Sequence, residues 1–506
     1  MPFSILAYML GNAIRVFVLL MLFPVVQLHA QKVYEFDATC QSAYRELTSL
    51  KIDSGLRLIQ QARQQNPDNL IPALLESYAD FFILFFNEDP SEYSWRKNSF
   101  EKHLDELEKG SKSSPFYNYS RAVVNLHRAI VAVKFGERLG AAWDFRRAFN
   151  LIKANERKYP QFTPNKLLAG PLQVGVGTIP PGYRWLANLF GMSGSIKQGM
   201  QNLRSFLNSN DPYSRIFFNE ASFYYCYLSF YFENNQEEVY NYIVKHKLDI
   251  VNNHVFAYMA TNLAKNNKNP EYAIKAAVGR NMSAAYLKTP VWDLELGYLY
   301  LHRLETGKSI NHFERFTSAF RGNTYLKEAY HKLSWAYYLE GKMQEAEAAR
   351  QKAISRGTTS TDADKRSHKE AKAGKWPNVL LLKARLLNDG GMNTEALKLL
   401  AGKDQGDFKS FEEKLEFVYR AARIYDDMGR LDDALKFYNI TIQQGSNRTE
   451  YFAARAALQA GMIMEKKGNK TEARKYYQQC LDMEGHDFED SIDQRAKAGL
   501  LRCEGA

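Results

Sequence analysis

The chain has 506 residues, 45% of them hydrophobic, with 67 Lys and Arg against 56 Asp and Glu and a formal net charge of +11. That is ample apolar material for a core, and four cysteines in such a length exclude a fold that depends on disulfides. Beyond residue 30 no apolar run is long enough for a helix to span a bilayer, which excludes a helical integral membrane protein once the first segment is removed.

Residues 1–30 have the pattern of an export signal. Arg15 precedes an apolar run from Val16 to Val26, and Leu28-His29-Ala30 ends it before Gln31. Translation from Met9 would give the ordinary short basic start. The alternative is an uncleaved membrane anchor, but the run is shorter than the roughly 20 residues a spanning helix needs and contains Pro24. The Ala30-Gln31 junction resembles signal peptides of the Bacteroidota type. The first cysteine is Cys40, ten residues past that junction, so it is not placed to carry a lipid at the new terminus. These features imply an exported chain of the periplasm or outer-membrane periphery, for which a nucleic-acid partner is not expected.

Residues 31–158 read as a region of paired helices. Leu56, Leu58, Ile59 and Ala62 line one face of a helix near 54–64, and Asn66-Pro67-Asp68 stops it. Helices are expected near 40–50, 70–86, 99–110, 117–135 and 141–158. Residues 159–211 form a separate insert. Pro160, Pro164, Gly170, Pro171, Gly175, Gly177, Pro180, Pro181 and Gly182 predict an apolar helix broken by a turn. The order Phe162-Thr163-Pro164-Asn165-Lys166, Leu172 to Ile179, Pro180-Pro181, Trp185, Leu189 to Gly194 and Gly199 resembles the middle of a repeat family that includes the fungal inclusion-body clearance proteins. Met192 and Ser195 depart from that pattern, where Phe and Asp are expected. The resemblance bears on fold and implies no activity.

Residues 212–320 return to helical hairpins rich in aromatics, from Phe217 and Phe218 through Phe223, Tyr224, Tyr225 and Tyr227 to Phe232. A helix aromatic nearly all round is buried between neighbours, and a ligand-stacking groove is the alternative. Past them, Lys365, Arg366, His368, Lys369, Lys372 and Lys375 make the densest basic cluster, expected in a solvated loop between repeats or as a contact for an anionic partner.

Residues 321–506 carry one pattern four times. A small residue in a first helix is followed three positions later by a large one, then a Gly turn, then Ala five positions after the Gly. The copies run through Gly461, Met464, Gly468, Ala473, Tyr477 and Cys480; Ala422, Tyr425, Gly429, Ala434 and Tyr438; Ala384, Leu387, Gly391, Ala396 and Leu400; and Ser334, Tyr337, Gly341, Ala346 and Ala353. Small residues let helices approach and Gly reverses the chain in the left-handed region. The spacing resembles the tetratricopeptide repeat, a helical hairpin of roughly 34 residues that stacks into a superhelix. The resemblance implies an all-α solenoid of stacked hairpins, closed by a terminal capping helix, that binds a protein or peptide. In such a stack the first helix of each hairpin lines the concave side. Lys383, Arg385, Arg420, Arg423 and Arg455 lie near the packing register of those helices. They suggest a surface that selects an acidic ligand, with ordinary solvated helix charges as the alternative.

No His pair has metal-ligand spacing on a helix, no Cys pair has zinc spacing, and no Gly-x-Ser-x-Gly elbow occurs. A bridge between Cys480 and Cys503 is one reading; the other makes Cys480 simply the small residue the repeat wants. Five Asn-x-Ser/Thr triplets are read as turn chemistry. Together these point to a non-enzymatic scaffold without cofactor or metal. The alternative is a carbohydrate-binding or nutrient-uptake accessory protein of the outer membrane, similar in export, helicity and length to proteins of the SusD type but without their lipid-anchor cysteine.

Overall fold

Helix starts in this chain are set by short polar residues ahead of proline. Asp89, Ser114, Asp211 and Asn269 each accept a hydrogen bond from a backbone N–H two or three residues on, and each is followed by Pro at the first helical position. Helix ends are set by glycine. Gly341, Gly391, Gly429 and Gly468, the turn glycines of the four repeated units, have φ of +73°, +82°, +74° and +77°. The computed structural model describes residues 32–178 and 191–504; residues 1–30, Pro180, Pro181, Gly182 and Trp185 lie outside them. Among the described residues there are 25 α-helices and no strand.

The helices pair with their sequence neighbours throughout. Pro115–Lys134 packs on Arg138–Lys158, Leu326–Leu339 on Met343–Ser355, Phe411–Asp427 on Leu431–Gly445, and Phe452–Lys466 on Lys470–Leu481, with Glu489–Glu504 closing the end. The fold is thus a solenoid of helical hairpins. The small residues of the pattern are its contact points: Ser334, Ala346, Ala384, Ala396, Ala422, Ala434 and Ala473 are fully buried. Large residues fill the gaps they leave. The buried Tyr438 donates to Asp426 at 2.9 Å and Tyr477 to Glu465 at 2.6 Å, while Tyr425 stacks on Phe437. A Cβ at Gly461 would lie 2.6 Å from the Tyr477 ring.

Several local expectations change. The helix expected from residue 99 begins earlier, at Pro90, because Asp89 caps it. Gly170, Pro171 and Gly175 do not break the helix of the insert, Pro164–Gly177, which runs through all three; Pro180, Pro181 and Gly182 lie outside the described residues. The glycines serve close packing instead, since a Cβ at Gly199 on helix Ile196–Leu207 would meet the Gly170 carbonyl oxygen at 2.5 Å. The basic stretch expected as a loop is the helix Asp362–Ala373, capped by Thr361 and seated on the two helices before it. The cysteines are all free, so Cys480 and Cys503 form no bridge.

The stack also closes on itself. The end of helix Ile71–Asn87 reaches residues far along the chain: Glu88 pairs with Lys134 at 2.6 Å and accepts from Thr324 Oγ1 at 2.5 Å, and Phe86 O accepts from Thr289. Lys268 pairs with Asp427, and the turn at Gly390-Gly391 sits against His302 and Lys268. These contacts wrap the hairpins around an inner space.

Candidate functional site

The inner space is a cavity of about 760 Å³, walled by helices from the first, middle and last thirds of the chain. Its polar groups are largely satisfied. Lys265 pairs with the buried Glu295 at 2.6 Å, and Glu88 is held as described. Lys332 stands out: its ammonium lies 3.8 Å over the Trp335 ring and makes no ion pair with a described residue. Burial, and after it the neighbouring Arg385, pull its pKa down to about 8. His302, on the same wall, is pulled down to about 4 chiefly by burial.

At its C-terminal end the cavity continues into a mouth of about 150 Å³, the two sharing Arg366, Arg385 and Asp389. Five arginines line this mouth against two carboxylates, Glu370 and Asp389. They come from four helices. Arg366 stands on Asp362–Ala373, Arg385 on Val379–Asp389, Arg420 and Arg423 on Phe411–Asp427, and Arg455 on Phe452–Lys466. Three are tied down within the chain. Arg420 pairs with Glu416 at 2.7 Å, Arg385 with Glu370 at 3.7 Å, and Arg423 with Asp427 at 3.6 Å. Burial works against the Arg420 charge, but Tyr451 and Glu416 outweigh it and hold its pKa above the usual arginine value. Glu370 and Asp389 are held below the usual carboxylate range: burial opposes this, and the neighbouring cations, Arg385 foremost, together outweigh it.

The other two arginines are held less closely, Arg366 acting on Glu370 one turn away without pairing with it. Arg366 is exposed and lies over the Phe488 ring, and Arg455 is half-buried; neither forms an ion pair with a described residue. Positive charge is therefore in excess here. Arg495 on the capping helix shows it: burial first, then Arg455 and Arg423, push its pKa below the usual arginine value.

Four of the five residues singled out from the sequence, Arg385, Arg420, Arg423 and Arg455, thus come together on one concave surface, and Lys383 lies outside it. Arg366 is legible in the sequence only as part of the basic cluster, because the polar composition of its helix reads as loop. Tyr419 and Tyr451, which frame the mouth, fall at no position of the repeated pattern and carried no signal in the sequence.

At its other end the cavity shares Phe85, Phe86 and Phe223 with a smaller aromatic pocket of about 140 Å³ that contains Glu220. The aromatic run of residues 217–232 is thereby split. Phe217, Tyr225 and Phe230 are buried packing, Phe223, Tyr224 and Tyr227 face the cavities, and Tyr231 and Phe232 are exposed. Among the described residues no three His, Cys, Asp or Glu side chains converge as metal ligands, and no helix is long and apolar enough to cross a membrane.

Residues 454–487, the helical hairpin at the end of the stack, match the tetratricopeptide repeat family. No curated protein matches the chain in sequence. Among solved structures it is similar to the tetratricopeptide domain of P58(IPK), at 12% identity over 86% of this chain and 99% of that one, with a TM-score of 0.23. It is also similar to a chain of the APC/C hetero-tetramer Cut9-Hcn1, at 11% identity over 93% and 96%, TM-score 0.27. Yeast Tom70 is similar at 12% identity over 92% and 89%, TM-score 0.23. At these scores the likeness adds nothing to what the helix packing itself shows.

Proposed function

We propose that the chain is a non-enzymatic interaction scaffold whose arginine-lined mouth holds an acidic segment of a partner protein. The observation that carries this is the pair Arg366 and Arg455, two guanidinium groups on one concave surface that form no ion pair with a described residue. Arginine grips a carboxylate with two parallel hydrogen bonds, and a half-enclosed wall screens such a bond less than open water does. The paired arginines act differently: Arg385, Arg420 and Arg423 hold the wall in shape through Glu370, Glu416 and Asp427.

The test uses a fluorescent Asp/Glu-rich decapeptide and the full chain. Binding is expected to weaken as salt rises, and Arg366→Glu with Arg455→Glu is expected to weaken it at least tenfold with helicity unchanged. Equal binding by the double variant would remove the mouth from consideration.

Export belongs to the same proposal and is supported by the apolar run Val16 to Val26 ahead of Ala30-Gln31. It predicts a mature N-terminus at Gln31 in periplasmic material; recovery of residues 1–30 in a carbonate-resistant pellet would overturn it. The carbohydrate alternative rests on Tyr231 and Phe232 as exposed rings, and a glycan array tests it directly.

A further inference from the structure

The aromatic pocket beyond Phe85, Phe86 and Phe223 is built around one carboxylate. Glu220 stands in the first turn of helix Phe218–Leu228, where the helix dipole favours negative charge. Its Oε2 accepts from Tyr44 at 2.6 Å and from Tyr78 at 2.9 Å, and the Tyr224 hydroxyl bonds the same carboxylate. No described Lys, Arg or His forms an ion pair with it. His127, the ring nearest in chemistry to a counter-ion, is no cation: it lies stacked 4.6 Å from Phe81, and burial pulls its pKa down to about 3. Three phenolic donors therefore hold a carboxylate that lacks a counter-charge; burial pushes its pKa above the usual carboxylate value, against the pull of those donors, and six phenylalanines line the pocket beside it.

The cage is rigid. Tyr44 meets Tyr78 edge to face at 5.4 Å, Tyr78 meets His127 at 4.5 Å, and Phe81 is in contact with both Phe82 and Phe85. Its volume of about 140 Å³ is close to that of an engineered apolar cavity of about 150 Å³ that takes up benzene. Phe85, Phe86 and Phe223 form the wall it shares with the large cavity.

We propose that this pocket binds a small organic ammonium, with its cationic head at Glu220 among the phenolic hydroxyls and a ring-sized apolar body against the phenylalanines. A cation is what the pocket lacks. It would hold Glu220 in its ionised form, pair with it, and gain attraction from the aromatic rings. An anion would meet Glu220 with like charge. A neutral molecule of the same shape would gain only the apolar contact. This site does not depend on the arginine mouth being used.

Three probes of one shape separate these cases on the full chain: benzylamine, an ammonium at pH 7, benzyl alcohol and phenylacetate. By calorimetry, benzylamine is expected to bind at least tenfold more tightly than benzyl alcohol, and phenylacetate not at all. Glu220→Gln is expected to bring benzylamine down to the level of benzyl alcohol, while Arg455→Gln in the mouth leaves it unchanged. Equal binding of the amine and the alcohol, retention of the amine preference in Glu220→Gln, or no binding of any probe would each overturn the proposal. Should Glu220→Gln fail to fold, the three-probe comparison on the unaltered chain still decides.

Discussion

Gly391 and Gly429 hold the same place in successive hairpins and share a left-handed backbone, with φ of +82° and +74°. Their surroundings differ. A Cβ at Gly429 would meet nothing within 4 Å, whereas one at Gly391 would meet the Lys268 carbonyl oxygen at 2.0 Å. Alanine at either position costs about 1–2 kcal/mol for its left-handed φ. Gly391→Ala is expected to cost about 1–3 kcal/mol more than Gly429→Ala, because backbone must move; urea midpoints of the two variants check this. The turn glycines were legible in the sequence from their spacing alone, but the Lys268 contact was not, since it comes from a distant hairpin. His331 gives a second residue-scale test. It is buried, and its pKa is pulled down to about 3, first by that burial. The folded value lies below the unfolded value of about 6.5, so the unfolded chain binds this proton first. Stability is unaffected above pH 6.5 and falls as the pH drops below it. His331→Gln is expected to reduce the loss between pH 6.5 and 4.5 by on the order of 2 kcal/mol. An unchanged slope in pH-dependent urea titrations would contradict this.

Among the elements, the helix Pro164–Gly177 shows how sequence signals mislead. Proline and glycine density marks a break when backbone freedom is the only consideration. Here Gly170 and Gly199 instead bring two helices close enough for backbone to touch backbone, and that gain in packing overrides the intrinsic preference of the residues. Gly199→Ala, which places a methyl 2.5 Å from the Gly170 oxygen, is expected to destabilise by about 1–3 kcal/mol although alanine favours helix. A rise in the thermal midpoint would show that the crossing can widen freely. The C-terminal hairpins are the opposite case. Their small residues, turn glycines and tyrosines are legible because each unit repeats the same solution. Ala473 is fully buried where two helices cross, so Ala473→Phe is expected to cost about 1–3 kcal/mol by overpacking, read as a lowered thermal midpoint.

At the scale of the whole molecule, Arg385, Arg420, Arg423 and Arg455 were legible because the resemblance to a tetratricopeptide stack implies that the first helix of each hairpin lines the concave side. Their carboxylate partners were not: Glu370 comes from Asp362–Ala373, whose polar composition reads as loop until Thr361 caps it and Asp364 bonds the backbone of Tyr325 and Glu328. Glu220 was invisible for a similar reason. Its three tyrosine partners come from separate helices, Tyr44 and Tyr78 lying far upstream, and only the wrapping of the stack assembles them.

The contact of Glu88 with Thr324 has a mechanical meaning. A stack held only by neighbour-to-neighbour contacts behaves under tension as a spring that gives way one hairpin at a time. In this chain the clasp at Glu88 joins points far apart along the thread and shields the intervening hairpins from load until it parts. Stretched by its ends in an optical trap, the molecule is expected to yield the span between the two residues in one abrupt lengthening. Thr324→Val, which unfastens the clasp, is expected to turn that lengthening into a staircase, so that the closure of the stack also governs how the thread bears strain.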